Sequence, residues 1–149
     1  MSQPDAAGRT LHEIAAALAL PLATQQARTL TAYLALMLRW NATYNLTAVR
    51  DPAHMLVQHL ADCLAVVGPL RRVCVAGSWR LLDVGSGGGL PGVVIAALNP
   101  QIDVTCVDTV GKKAAFVPSA IRENQNVLSH GSTPFSRLGR NTTFYRIDF

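Results

Sequence analysis

The chain has 149 residues, 50% of them hydrophobic and 15% charged, with a net charge of +4, a composition that fits one soluble globular domain. The cysteines, Cys63, Cys74 and Cys106, are odd in number and lack C-x-x-C spacing, which argues against a disulfide framework or a zinc site and for a reducing compartment. The longest apolar run, 14–22, is far short of the roughly 20 residues of a membrane span, and Asp5 and Glu13 stand where a signal peptide would be positive, so a cytoplasmic protein is expected.

The basic excess is uneven. Basic and acidic residues number 4 against 2 in 1–50, 3 against 5 in 51–110 and 6 against 2 in 111–149. Most of the positive charge therefore lies at the C-terminal end, and as evidence for RNA binding it is weak.

Leu11, Ile14, Ala15, Leu18 and Ala19 recur at helical spacing in 10–20, and Ala27, Leu30, Leu34, Met37 and Leu38 do so in 24–40. Pro21 separates these two helices, and the turn formers of 41–45 end the second. Asp51 and Pro52 open a third helix as N-cap and first helical residue. Its apolar face is Met55, Leu56, Leu60, Leu64 and Val67, and Gly68-Pro69 is its expected stop. Residues 80–84 and 102–107 read as strands around a helix begun by Pro91 and ended near Asn99-Pro100. The expected organisation is a helical arm over 1–79 followed by an α/β unit over 80–116.

After Lys113 a further helix begins with Ala114, Ala115 and Phe116. Pro118 falls where an interior N–H is needed, at a cost of about 3 kcal/mol. Residues 129–149 show neither helical period nor clean alternation apart from a short strand pattern at 142–147, so 117–149 is expected to be a poorly ordered tail. A βαβ unit consumes roughly 30 residues, which leaves room for only two or three strands after Arg80.

The segment RLLDVGSGGGLPG, 80–92, carries the strongest signal. An apolar run closes on Asp83, and glycines follow at 85, 87, 88, 89 and 92, a loop that lets backbone approach a ligand closely. Gly87-x-Gly89-x-x-Gly92 satisfies the dinucleotide fingerprint literally, but charge argues otherwise. A pyrophosphate needs the helix N-terminus behind the loop, and an acid at the strand tip repels it. S-adenosylmethionine carries a sulfonium and an ammonium, which Asp83 attracts. The second strand ends in Asp108, at the offset where an acid takes a ribose hydroxyl pair.

The segments WNATYNLTAVRDPAHMLVQHLADCLAV from Trp40, LLDVGSGGGLPGVVIA from Leu81 and VDTVGKKAAF from Val107 together resemble the bacterial small-subunit ribosomal RNA guanine-N7 methyltransferase family, also called glucose-inhibited division protein B. The resemblance covers about residues 10–116. It implies a Rossmann-like class I methyltransferase unit, incomplete here, behind an N-terminal helical arm. It further implies a cytoplasmic monomer that uses S-adenosylmethionine and acts, away from any membrane, on 16S ribosomal RNA in the small ribosomal subunit. Cofactor contacts fall by the same resemblance on Gly85 and Leu90, with Asp83, Gly87, Gly89 and Asp108 around them. Gln58 departs from the basic residue usual before the histidine, and Cys63 from a serine. Beyond Phe116 the family's pattern gives way to VPSAIREN and an unrelated tail, as in a truncated or frameshifted copy. An inactive remnant is thus the alternative reading, and a nicotinamide-dependent oxidoreductase fragment, opposed by Asp83, the third.

Guanine N7 is a lone-pair nucleophile with no proton to lose, so methyl transfer needs no general base, and alignment carries the rate. No catalytic triad is expected. Asn45, Thr47, His59 and Asp62 are the candidate substrate residues. His59 and Asp62 share a helical face and read first as a polar pair tying arm to sheet, while Asn45 and Thr47 serve equally as capping and turn residues. Tyr33, Trp40 and Tyr44 read as packing residues, Lys112 and Lys113 as a solvated helix start, and His12, His54 and His130 lack the partners of a metal site.

Overall fold

The computed structural model describes residues 6–45, 51–109, 116, 134–135 and 143–147. Helix α1, Ala6–Ala17, buries Leu11 and Ala15. Helix α2, Thr24–Tyr44, buries Ala27, Leu30, Tyr33, Leu34, Met37 and Asn41 along one stripe. The Gln26 side chain accepts from the Ala23 N–H at 3.0 Å, closing the first turn of α2, and donates to the Ala97 carbonyl at 3.1 Å. Asn45 ends α2 in the left-handed region, its N–H on the Asn41 carbonyl. Asp51 caps the third helical segment by accepting from the Ala53 N–H at 2.9 Å.

That third segment departs from expectation. It runs as α3, Pro52–Met55, then a π-helical stretch, Leu56–Ala61, then α4, Asp62–Val73, with Pro69 inside it. Gly68-Pro69 therefore does not stop the helix. Proline removes one N–H and its ring crowds the Cβ of the preceding residue, and Gly68 has no Cβ to crowd. Buried Leu64 and Val67 hold one side of α4, and Arg71 holds its last turn. The Arg71 Nε donates to Asn99 Oδ1 and an Nη to the Leu98 carbonyl, both at 2.7 Å, so a cation satisfies the C-terminal end of the next helix. Arg71→Met is expected to lower stability by about 2 kcal/mol, read as a urea midpoint shift. A shift below a quarter of that would mean the fork is a surface contact only.

Strand β1, Trp79–Val84, and strand β2, Ile102–Asp108, pair in parallel with Asp83 beside Cys106 and Val84 beside Val107. Helix α5, Gly92–Leu98, crosses between them, and all of its residues are buried. An apolar run of seven fits an element covered on every side. The sheet side is supplied by Val104 and Cys106, and the other sides by the helical arm. One hydrophobic core thus joins Leu11, Leu30, Leu60 and Leu64 of the arm to Val94, Ile95, Val104 and Phe116.

Residues 117–149 are not wholly outside the unit, contrary to expectation. Strand β3, Pro134–Phe135, and strand β4, Thr143–Ile147, join the sheet in the order β1-β2-β4-β3, with β4 antiparallel to β2. The weak alternation at 142–147 is enough because a strand that adds to the open side of β2 answers to the free N–H and C=O groups there as much as to its own pattern. The sheet is mixed, and among the described residues β1 is its other edge. The face opposite α5 leaves Leu82 and Val84 exposed at 55% and 74%.

Candidate cofactor-binding site

At the C-terminal end of β1 the chain turns over the tip of β2. The Gly85 and Ser86 N–H groups both donate to the Val107 carbonyl, at 2.8 and 3.2 Å, and the Ser86 carbonyl accepts from Gly89 and Leu90 at 2.8 and 3.1 Å. Gly85, Gly87 and Gly89 have φ of +77°, +56° and +86°. At Gly85 a Cβ would meet no atom within 4 Å, so the glycine there serves a backbone conformation and an open space rather than internal packing.

Both acids turn inward. The Asp108 Oδ2 accepts from the Gly87 N–H at 2.7 Å, and the Asp83 Oδ2 from the Gly92 N–H at 2.9 Å. Asp83 therefore caps the start of α5, where a Cβ on Gly92 would stand 2.5 Å from the Cys106 sulfur and 2.9 Å from Asp83 Oδ2. One oxygen of Asp83 is thus engaged by backbone. Asp108 is buried at 8% exposure and fixes the loop's shoulder.

Burial raises the pKa of Asp83 above its ordinary 3.8, the Gly92 N–H and Cys106 thiol opposing and the nearby Asp108 reinforcing the rise. The folded chain thus holds this proton to higher pH than the unfolded chain. Asp83's contribution to stability is fully present below the unfolded value of 3.8 and is lost as pH climbs through the raised folded value. Asp83→Asn is expected to remove that downward slope, so that the stability of wild type minus variant falls with rising pH across this window. Urea midpoints at a series of pH values check this, and parallel curves would contradict it.

Cys63, at the start of α4, is pushed up to about 12 by burial first and by Asp62 and Asp83 next. The start of α4 accordingly lies in the electrostatic reach of the strand tip. Cys106 is likewise raised, by burial and by Asp83. Neither thiol is an activated nucleophile.

The structure gathers Asp83, Gly85, Gly87, Gly89, Leu90 and Asp108 on one turn and the two strand ends that hold it. Of the substrate candidates, Asn45 is exposed at the end of α2, His59 is half-buried on the π-helical stretch, and Asp62 is exposed at the first position of α4. Thr47 lies outside the described residues. Sequence reasoning missed two contributors. Tyr33 packs its ring against Phe116, 5.5 Å between centroids, and donates its hydroxyl to the Gly88 carbonyl. Met37 lies one turn on, its methyl 3.1 Å from where a Gly88 Cβ would stand. Both sit in the apolar stripe of α2, and nothing in that period distinguishes them from core residues. Among the described residues no cluster of His, Cys, Asp or Glu could hold a metal ion, and no helix is long and apolar enough to cross a membrane.

A strand, a glycine turn, a buried helix and a parallel strand ended by an acid make this an α/β protein. A family model described as rRNA small subunit methyltransferase G matches residues 26–128, and the chain belongs to that family. The match continues past Phe116, where the sequence reading placed the departure. The chain is similar to proteins named Ribosomal RNA small subunit methyltransferase G. The one from Leptothrix cholodnii is 60% identical over 121 residues, 81% of this chain and 55% of the relative. That from Methylibium petroleiphilum is 60% identical over 107 residues, 72% and 48% respectively, and that from Bordetella avium 52% over 118, 78% and 53%. The chain thus spans about half the length of the curated relatives it matches.

Proposed function

We propose that this chain forms the S-adenosylmethionine-binding part of a Rossmann-like methyltransferase that acts on guanine N7 of 16S ribosomal RNA. The observation that carries the cofactor reading is the use of the turn's own amides. The N–H groups of residues 85, 86, 87, 89, 90 and 92 all donate to protein acceptors, two of them carboxylates. A pyrophosphate binds by taking such amides at a helix N-terminus, and here Asp83 already occupies it. A nucleoside that carries a cationic sulfur and no phosphate needs none of them. The space above Gly85 suits the close approach of such a ligand.

When bound, the cofactor supplies an electrophilic methyl on a sulfonium. The chain's task is to align it: Asp108 and Asp83 hold the turn, the turn shapes the seat, and exclusion of water does the rest. Guanine N7 has no proton, so no residue is required to accept one.

Titration calorimetry with S-adenosylmethionine and with NAD tests the reading, and tighter binding of NAD would overturn it. Asp83→Asn is expected to weaken S-adenosylmethionine and S-adenosylhomocysteine equally, because Asp83 acts through the Gly92 N–H. A selective loss of the sulfonium form would instead restore direct charge recognition. The exposure of Leu82 and Val84 on a face of the sheet that a doubly wound fold covers favours a second reading, binding without transfer. Labelling of 30S subunits from radiolabelled S-adenosylmethionine separates the two: incorporation supports a methyltransferase, and cofactor binding without incorporation supports the second reading.

A further inference from the structure

The turn is held from two directions. From the sheet, Asp108 and Asp83 take the Gly87 and Gly92 amides, and the Val107 carbonyl takes those of Gly85 and Ser86. From the helical arm, α2 reaches the crest. Tyr33, 1% exposed, donates its hydroxyl to the Gly88 carbonyl, and Met37 fills the place a Gly88 side chain would take.

The consequence concerns one peptide plane. The Gly88 carbonyl is on Tyr33 and the Gly89 N–H is on the Ser86 carbonyl, so the Gly88–Gly89 plane is clamped at both ends. Two residues before it, Asp108 clamps the Ser86–Gly87 plane by its N–H, while the Ser86 carbonyl accepts from Gly89 and Leu90. Between these two planes lies the Gly87–Gly88 peptide, whose carbonyl and N–H have no hydrogen-bond partner among the described residues. Glycine planes rotate at little steric cost, so the orientation of that free peptide depends on the clamps beside it.

The geometry points to Tyr33 as a positioning residue of the arm that sets cofactor affinity by fixing the crest of the glycine turn. This rests on the cofactor reading above. On this reading Tyr33 acts through the turn. It pre-organises the turn, so the ordering cost is met in the free protein instead of being drawn from binding. The helical arm thereby acquires a part in cofactor binding beyond packing.

Tyr33→Phe keeps the ring against Phe116 and removes only the hydroxyl. Affinity for S-adenosylhomocysteine, measured by calorimetry well below the melting temperature, is expected to fall about tenfold, the equivalent of one hydrogen bond to a buried carbonyl. Exchange of the Gly89 amide, followed by NMR in the ligand-free protein, is expected to quicken. Tyr44→Phe on the same helix, where the ring lies tilted against Trp40 with 5.1 Å between centroids and is 43% exposed, should change neither. A Tyr33→Phe protein with a lowered melting temperature, unaltered affinity and unaltered Gly89 exchange would show that Tyr33 only packs, and would overturn the inference. If wild type binds no S-adenosylhomocysteine, the cofactor reading fails by itself, and Tyr33's hold on the turn is then decided by the Gly89 exchange: quickened exchange upholds it and unchanged exchange overturns it.

Discussion

Gly92→Ala is expected to destabilise the protein by about 2–3 kcal/mol, the usual penalty of overpacking a closed site and a large part of the roughly 5–15 kcal/mol that holds a domain together. The added methyl would lie 2.5 Å from the Cys106 sulfur, 2.9 Å from Asp83 Oδ2 and 3.4 Å from a methyl of Val104. Sheet and helix would have to part, and the Gly92–Asp83 hydrogen bond would lengthen with them. Equilibrium urea unfolding measures the effect. Cys106→Ala in the same chain removes the nearest obstacle, so the double variant should recover a substantial share, a coupling that independent sites would not show. Equal stability of Gly92→Ala and wild type would mean that α5 does not sit this close to β2.

At Gly85 the loss should fall on binding. Gly85→Val places a side chain where no protein atom lies within 4 Å, so the fold meets only the backbone strain of a branched residue at positive φ, about 1–2 kcal/mol. If the turn holds the cofactor as proposed, S-adenosylmethionine affinity should drop on the order of a hundredfold, because the side chain would take the ligand's place. Gly77 provides a matched control. It too has a positive φ, +85°, and open space around it, but it lies before β1, at the end of the strand remote from the turn. Gly77→Val should show the same loss of stability with cofactor affinity intact. Equal affinity of both variants for S-adenosylmethionine would remove the turn from the binding site.

What the sequence by itself determined is local. Period and punctuation located α1, α2, α5 and both parallel strands, because burial of one face, Pro21, Asp51 and the glycine run act within a few residues of where they stand. The strand–turn–helix–strand order and the two acids followed from the same local signals. Tertiary structure decided what those groups touch. The bond from Asp83 to Gly92 needs α5 folded back onto β1, and the bond from Asp108 to Gly87 needs the β1–β2 register. Tyr33 reaches a carbonyl 55 residues away. Pro69 stays inside α4 because Gly68 gives its ring room and Arg71 ties the last turn to α5. Residues 143–147 become a strand because β2 offers them an edge. In each case the deciding partner is remote in sequence, and hydrogen bonding and steric fit at a distance leave no period in the chain to read.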